Sequence, residues 1–195
     1  MCSSDDQLRS ALAKALDIPE PFKRRLYVLG IITLALAEDS PKAAPILVGG
    51  GAVEFYSLGG YATHDMDVVV ANRERLDEVL MQLGFVRGRG KRHWYNESID
   101  IAVEAHDTVL AGSMDRVCVI DVEGLQVYVI GIEDLILDRL RAHVFWKSTA
   151  DGEWAARLMT LHEPSVDWDY LSSEATREGI TDALVALREA HTHDG

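Results

Sequence analysis

Asp65 and Asp67 stand two residues apart, directly before a run of three valines at 68–70. The valine run predicts a buried β-strand, and residues two apart on a strand point to the same face. We therefore expect the Cα atoms of the two aspartates to lie roughly 6–7 Å apart. Two carboxylates held so close repel each other unless a cation lies between them. The pattern favours a divalent-cation site at the mouth of the strand, although a solvated strand end carries such a pair as well.

Three glycines, at 49–51, separate the apolar segment 45–48 from a short helical stretch that starts at Ala52. Glycine lets the backbone approach an anion closely, and the N-terminus of the following helix carries partial positive charge. Gly49 and Gly50 are therefore candidates for binding the phosphates of a nucleotide. The arrangement differs from the Gly-x-x-x-x-Gly-Lys-Ser/Thr phosphate-binding loop.

A third acid, Asp100, stands among apolar residues in the segment 98–104, which is typical of a neighbouring strand. A charge in such surroundings is costly unless it has a metal ion or another partner. We therefore expect Asp100 to be a third ligand or to act as a base. None of the seven histidines has the spacing of metal ligands, and His106 is predicted to be an ordinary surface or core residue.

The order of predicted elements indicates an α/β fold. Residues 1–43 read as N-terminal helices, residues 44–130 as alternating strands and helices, and residues 131–195 as helices again. With 48% apolar residues the chain can bury a proper core. We predict a mixed central sheet flanked by helices, with three parts: N-terminal helices over 1–43, an α/β core over 44–130 and a C-terminal helical lobe over 131–195.

The net charge of −13 argues against a broad nucleic-acid-binding face, which is normally basic. One segment is an exception, because residues 87–93 hold four permanent cations and a histidine. This segment is either a solvated loop or a flexible clamp for a triphosphate or an RNA backbone. Within it, Lys91 is a candidate nucleotide-binding residue.

The sequence gives no sign of secretion or of membrane insertion. Two cysteines are too few for a disulfide framework or a zinc cluster, and the N-terminus lacks the pattern of a signal peptide. No apolar run approaches the roughly 18 residues that a membrane span needs. We therefore expect a cytoplasmic protein that has no membrane partner.

The order strand, Gly-Gly, helix, Asp-x-Asp, strand, Asp resembles the polymerase-β nucleotidyltransferase superfamily. The form Gly-Gly-x-Ala…Thr-x-Asp-x-Asp is similar to its small branch that includes the AbiEii and MenT-type toxins of toxin–antitoxin systems. The resemblance covers about residues 46–161, and Gly49, Gly50, Asp65, Asp67 and Asp100 match its positions. It implies an α+β nucleotidyltransferase fold and transfer of a nucleoside monophosphate from an NTP to an acceptor hydroxyl. Two Mg²⁺ ions would be held by the three aspartates.

The same resemblance implies further roles. The segment 132–151 is similar to the branch's Glu-Asp-Leu…Lys-Leu-x-Ala pattern, with Arg139 in place of the usual lysine, and it implies that Arg139 and Asp151 bind the nucleotide. An arginine often found shortly before Thr-x-Asp-x-Asp is missing here. In the toxin branch a Ser or Thr just before Asp-x-Asp can be phosphorylated, which makes Thr63 a possible phosphorylation site.

The acceptor stays open at this stage. The resemblance implies the 3′ end of tRNA, in a toxin that blocks translation and has a cognate antitoxin protein. The acidic charge would confine any tRNA contact to residues 87–92 and the cluster 23–25. A hydroxyl of a protein or of an aminoglycoside-like small molecule is the alternative, which the acidic surface favours. A catalytically silent binding module is the third possibility.

Overall fold

The computed structural model describes residues 4–37, 44–88 and 92–192 of the chain, so Lys91 lies outside the described residues. The chain divides into two compact units. The first comprises Met1–Gly51, Ala62–Leu110 and Val117–Val129, and the second comprises Ala52–Tyr61, Ala111–Arg116 and Ile130–Gly195.

The first unit contains the whole described β-sheet. Its strands are β1 (Ile46–Leu47), β2 (Asp65–Val69), β3 (Val86–Arg87), β4 (His93–Asn96), β5 (Ile101–Asp107), β6 (Cys118–Val122) and β7 (Leu125–Val129). Its helices are α1 (Ser4–Ala15), α2 (Pro21–Ala37) and α4 (Arg73–Gln82), and α3 (Gly49–Tyr56) begins in this unit and ends in the second.

The sheet has the strand order β3-β4-β5-β2-β1-β7-β6. β2 runs parallel to β5 and β1 runs parallel to β7, whereas all other neighbouring pairs are antiparallel. This mixed sheet with its helices confirms the predicted α/β fold class.

One face of the sheet is apolar and helps to form the core of the first unit. Met66 and Val68 of β2, Trp94 of β4 and Val103 of β5 are all buried. α2 packs closely on β7, since a Cβ atom added at Gly30 would lie 2.7 Å from the Cβ of Leu125. Because side chains alternate along a strand, the residues between these apolar positions point to the opposite, outer face.

The second unit is largely helical beyond α3. It contains a short 3₁₀ helix (Met114–Arg116) and the helices α5 (Ile132–Trp146), α6 (Thr149–Leu161), α7 (Trp168–Glu178) and α8 (Thr181–Thr192). α2 packs on β7 within the first unit. The division into three parts at 43/44 and 130/131 stays a prediction. None of the described helices has the length and apolar character needed to cross a membrane.

Two acids at the start of α5 are buried in the second unit. Asp134 accepts hydrogen bonds from the Ser113 N–H (2.8 Å) and from the Tyr170 hydroxyl (2.7 Å). Glu133 accepts from the Asp167 N–H at 2.9 Å and lies 3.5 Å from an Arg116 nitrogen. Burial and the bond to Asp134 raise the pKa of Tyr170, so its phenol stays protonated and donates. These acids have the partners that buried charges require.

Candidate active site

Asp65 and Asp67 lie on β2 and share the outer face of the sheet. Both are half-buried, whereas the intervening Met66 and the following Val68 are buried on the other face. The strand predicted from the valine run is therefore present, with its acids at the N-terminal end.

The carboxylate of Asp67 is held by the first turn of α3. The Gly50 N–H donates to Asp67 Oδ2 at 3.2 Å. Gly49 has a φ of +56°, and a Cβ atom there would lie only 2.4 Å from the same oxygen. Gly49 therefore meets two demands that only glycine satisfies, a left-handed backbone and a close approach to a carboxylate. The Asp67 carboxylate therefore lies beside the N-terminus of α3, which carries partial positive charge.

Glu104 of β5 lies beside Asp67 in the sheet. The parallel register pairs Asp67 with Glu104 directly. His106 follows on the same strand, and its Nε2 lies 3.0 Å from Asp67 Oδ1 and 4.0 Å from Glu104 Oε2. One ligand atom from each of these three residues lies within 4.8 Å of the others. Among the described residues, Asp67, Glu104 and His106 form a group that could hold a metal ion.

An irregularity in β5 accompanies the placement of His106. Val68 pairs with Ala105, whereas the next residue, Val69, pairs with Asp107. His106 is thus an extra residue without a partner on β2, as in a β-bulge. Bulges often lie next to active sites, where they reorient a side chain.

The structure does not bring Asp100 to this cluster. β5 begins at Ile101 rather than at 98, and Asp100 ends the turn between β4 and β5 with a φ of +53°. Aspartate tolerates this left-handed conformation better than most residues. The Asp100 carboxylate accepts a hydrogen bond of 2.8 Å from the Tyr95 hydroxyl.

The sequence interpretation missed Glu104 and His106 as site residues. Glu104 lies in the segment 98–104 that the sequence predicts as a strand, but only Asp100 of that segment was predicted to be a ligand. His106 was predicted to be an ordinary surface or core residue. A signal for both residues was present in the sequence. Ala102, Glu104 and His106 alternate with apolar residues, so they have the same two-residue spacing as Asp65 and Asp67.

The remaining predicted site residues within the described ranges are Arg139, Asp151 and Thr63. Arg139 and Asp151 belong to the second unit, where the Arg139 guanidinium donates to Asp151 Oδ1 at 2.8 Å and also pairs with Asp138. Thr63 precedes β2, is half-buried and has an interaction partner of its own.

The donor set of the cluster fits a divalent cation. Carboxylate oxygens suit Mg²⁺ and Mn²⁺, and imidazole extends the choice to softer first-row metals. The side chains of Asp67 and Glu104 are only 19% and 20% exposed, so their mutual repulsion is poorly screened by water. Asp65 lies on the same face of β2 but is not part of this group, and it makes no side-chain hydrogen bond or ion pair with the described residues.

Comparison with known proteins identifies the family. The family model for nucleotidyltransferases of unknown function (DUF6036) matches residues 12–189. The chain belongs to this family. The structure of this chain is similar to the solution structure of the antibiotic-resistance factor ANT(2'')-Ia, with a TM-score of 0.48 and a sequence identity of 18%. The match covers 85% of this chain and 96% of that chain. No curated protein matches the sequence.

Membership makes the protein an enzyme of the nucleotidyltransferase class. Such an enzyme uses an NTP and a divalent metal ion, which agrees with a carboxylate group able to hold a metal. The family description names no acceptor.

Proposed function

We propose that this enzyme transfers a nucleoside monophosphate from an NTP to an acceptor hydroxyl, using divalent metal ions held by Asp65, Asp67 and Glu104. The observation that carries the proposal is the grouping of Asp67, Glu104 and His106 within 4.8 Å, beside a glycine-rich helix start. Mg²⁺, as two ions, remains the proposed metal.

At the α-phosphorus the reaction forms one bond and breaks one. The acceptor oxygen bonds to the α-phosphorus, the bond from that phosphorus to pyrophosphate breaks, and the hydroxyl proton passes to solvent. Bound divalent ions would neutralise charge on the phosphate oxygens. The chain itself fixes the Asp67 carboxylate, through the Gly50 N–H on one oxygen and His106 on the other. Preorganised ligands of this kind need no rearrangement when substrate binds.

In this proposal Glu104 has the role of the third carboxylate, which the sequence pattern suggested for Asp100. The register supports the change, because Glu104 pairs directly with Asp67. Asp100 lies in a turn and is engaged by Tyr95.

The proposed nucleotide contacts come from the sequence: Gly49, Gly50, Lys91, Arg139 and Asp151. Gly50 already donates its N–H to Asp67, so its contribution to phosphate binding would be indirect. A phosphate would have to compete with Asp151 and Asp138 for Arg139. Phosphorylation at Thr63 would add negative charge two residues before Asp65 and oppose NTP binding.

The acceptor is better supported as a small molecule than as tRNA. Among the cations expected to contact RNA, Lys23 pairs with Glu123, Arg24 donates to the Ile18 carbonyl and Arg25 is buried. The net charge of −13 also opposes a polyanionic acceptor. The toxin role and the cognate antitoxin that the resemblance implies stay predictions.

The proposal is tested by metal binding and by label transfer. Binding of Mn²⁺, followed by electron paramagnetic resonance, is expected to weaken at least about tenfold in Asp67→Asn and Glu104→Gln. The matched control Asp100→Asn should bind Mn²⁺ like the wild type. With each α-³²P-labelled NTP and Mg²⁺, the acceptor panel is total tRNA, kanamycin A and a protein extract.

Transfer of label to any acceptor that is lost in Asp67→Asn is the expected result. Transfer that survives in Asp67→Asn would overturn the proposal. So would a wild-type protein that shows no metal-dependent binding of an α,β-methylene NTP analogue by calorimetry. Loss of Mn²⁺ binding in Asp100→Asn but not in Glu104→Gln would show that Asp100, rather than Glu104, is the third carboxylate ligand.

A further inference from the structure

The backbone around His106 is fixed by hydrogen bonds from outside β5. His106 is the extra residue of the bulge in this strand. One guanidinium nitrogen of Arg73, at the start of α4, donates to the Ala105 carbonyl at 3.0 Å and to the His106 carbonyl at 2.7 Å. The Asp107 carbonyl accepts from the Val70 N–H at 3.1 Å. The bulge is therefore a built feature that holds the His106 side chain beside the two acids.

The spacing of the three side chains suits the ligands of one octahedral ion. Bonds of about 2.1 Å place neighbouring ligand atoms roughly 3.0 Å apart and opposite ones roughly 4.2 Å apart. His106 Nε2 lies 3.0 Å from Asp67 Oδ1 and 4.0 Å from Glu104 Oε2. An ion can therefore bind all three atoms after small shifts of the side chains, and it then replaces the hydrogen bond between His106 and Asp67.

The His106 imidazole can become a ligand without giving up another partner. A ligating Nε2 must carry a lone pair, so the ring proton then lies on Nδ1. Nδ1 makes no hydrogen bond with the described residues, and the side chain is 47% exposed. Water can therefore accept the hydrogen bond from Nδ1.

A second histidine lies near the cluster in a different position. His93 Nε2 is 3.1 Å from Glu104 Oε2, but His93 does not belong to the group of ligand atoms that lie within 4.8 Å of one another. Carboxylates that bind metal ions are commonly hydrogen-bonded to an outer group that orients them. His93 has this outer place beside Glu104, which makes it the natural comparison for His106.

The nitrogen donor affects which ion the position prefers. Mg²⁺ takes oxygen ligands and keeps several of its waters. First-row transition ions accept imidazole more readily, and their affinity for sites with nitrogen and oxygen donors rises from Mn²⁺ towards Cu²⁺. Two carboxylates with one imidazole therefore favour a transition ion over Mg²⁺.

We propose that His106 binds one of the two ions directly, together with Asp67 and Glu104, and that its imidazole makes this position select a first-row transition ion such as Mn²⁺ over Mg²⁺. The inference rests on the proposed function and replaces Mg²⁺ at this position only. His106 is the residue that determines metal specificity, and Arg73 is a positioning residue that acts through the bulge.

Electron spin-echo envelope modulation of Mn²⁺ bound to the full chain tests the ligand, because it detects a nitrogen bound directly to the ion. With Mn²⁺ kept below the protein concentration, we expect nitrogen modulation in the wild type and in the matched control His93→Gln, and its loss in His106→Gln. The glutamine amide at 106 can still donate to Asp67, so this variant separates a ligand from a hydrogen-bond partner. Circular dichroism checks that each variant is folded.

Competition between Mn²⁺ and Mg²⁺, followed by electron paramagnetic resonance, tests the specificity. His106→Gln is expected to lower the ratio of Mn²⁺ affinity to Mg²⁺ affinity about tenfold, and His93→Gln to change it less than about threefold. Arg73→Gln should lower the same ratio about threefold. Its matched control is Arg75→Gln, because Arg75 lies on the same helix and pairs with Glu78.

A wild-type Mn²⁺ complex without nitrogen modulation would overturn the proposal. So would modulation, or an unchanged affinity ratio, that survives in His106→Gln, and so would loss of modulation in His93→Gln alone. Equal ratios in Arg73→Gln and Arg75→Gln would overturn the positioning role of Arg73. Label transfer that depends on Asp67, in a protein without nitrogen modulation, would remove this inference and leave the proposed function. Modulation that depends on His106, in a protein that transfers no label, would do the reverse.

Discussion

The molecule contains two clusters of acids that differ in how their charges are satisfied. In the second unit, Glu133 and Asp134 are 6% and 1% exposed, and backbone N–H groups, a tyrosine hydroxyl and Arg116 surround them. In the first unit, Asp67 and Glu104 are half-buried next to each other. The Gly50 N–H donates to Asp67. Among the described residues, the only side chains that pair with these two acids are the imidazoles of His93 and His106.

The difference separates an acid pair that stabilises the fold from one that is available for chemistry. A buried carboxylate depends on its permanent donors, because removing one partner leaves a buried polar group or charge without compensation and lowers the stability of the fold. A half-buried pair without a permanent cation carries unrelieved repulsion, which a divalent ion would remove. We therefore expect the first cluster to matter for activity and the second for stability.

The same isosteric change in both clusters gives the largest contrast. Asp134→Asn replaces an acceptor oxygen with an amide that cannot accept from both Ser113 and Tyr170. We expect the free energy of unfolding to fall by roughly 2–3 kcal/mol, measured by urea denaturation. Asp67→Asn should leave it unchanged or raise it, because repulsion from Glu104 is relieved. Equal losses in the two variants would contradict the distinction between the clusters.

Two glycines with left-handed backbones test how Asp67 of the first cluster is positioned. Gly49 and Gly124 have φ values of +56° and +84°, but a Cβ atom meets Asp67 only at Gly49 and meets nothing within 4 Å at Gly124. Alanine at either site should cost about 1 kcal/mol of stability through backbone strain. Only Gly49→Ala should also displace Asp67 and weaken Mn²⁺ binding, about tenfold by electron paramagnetic resonance. Equal Mn²⁺ affinity in the two variants would show that Gly49 does not position Asp67.

Local sequence pattern predicted most of the elements and the strand that carries Asp65 and Asp67. It could not predict the pairing of Asp67 with Glu104, because the register between β2 and β5 depends on the order of strands in the sheet. Asp100 was predicted to be a third ligand or a base because its neighbours in the sequence are apolar. The turn that ends at Asp100 moves it out of the strand, and such a turn is decided by the antiparallel pairing of β4 with β5.

The second unit shows the same division between local and distant information. The helix dipole favours acids in the first turn of a helix, such as Glu133 and Asp134 in α5, and this is a local effect. Their burial was not expected, because it depends on contacts with Ser113 and Tyr170, which lie 21 and 36 residues from Asp134. The roles of Arg139 and Asp151 in nucleotide binding stay a prediction.

The smallest expected effect is a pH dependence in the second unit. The hydrogen bond from Arg116, followed by that from the Tyr170 N–H, lowers the pKa of Asp167. A carboxylate with a lowered pKa stabilises the fold above its unfolded pKa of about 3.9, and this contribution is lost as pH falls through the folded value. Asp167→Asn should therefore lower the melting temperature at pH 7, and its difference from wild type should shrink below about pH 4. The matched control is Asp115→Asn, because Asp115 is exposed and belongs to the same unit. A difference between Asp167→Asn and wild type that stays constant from pH 7 to pH 3 would show that the ionised carboxylate is not what stabilises this cluster.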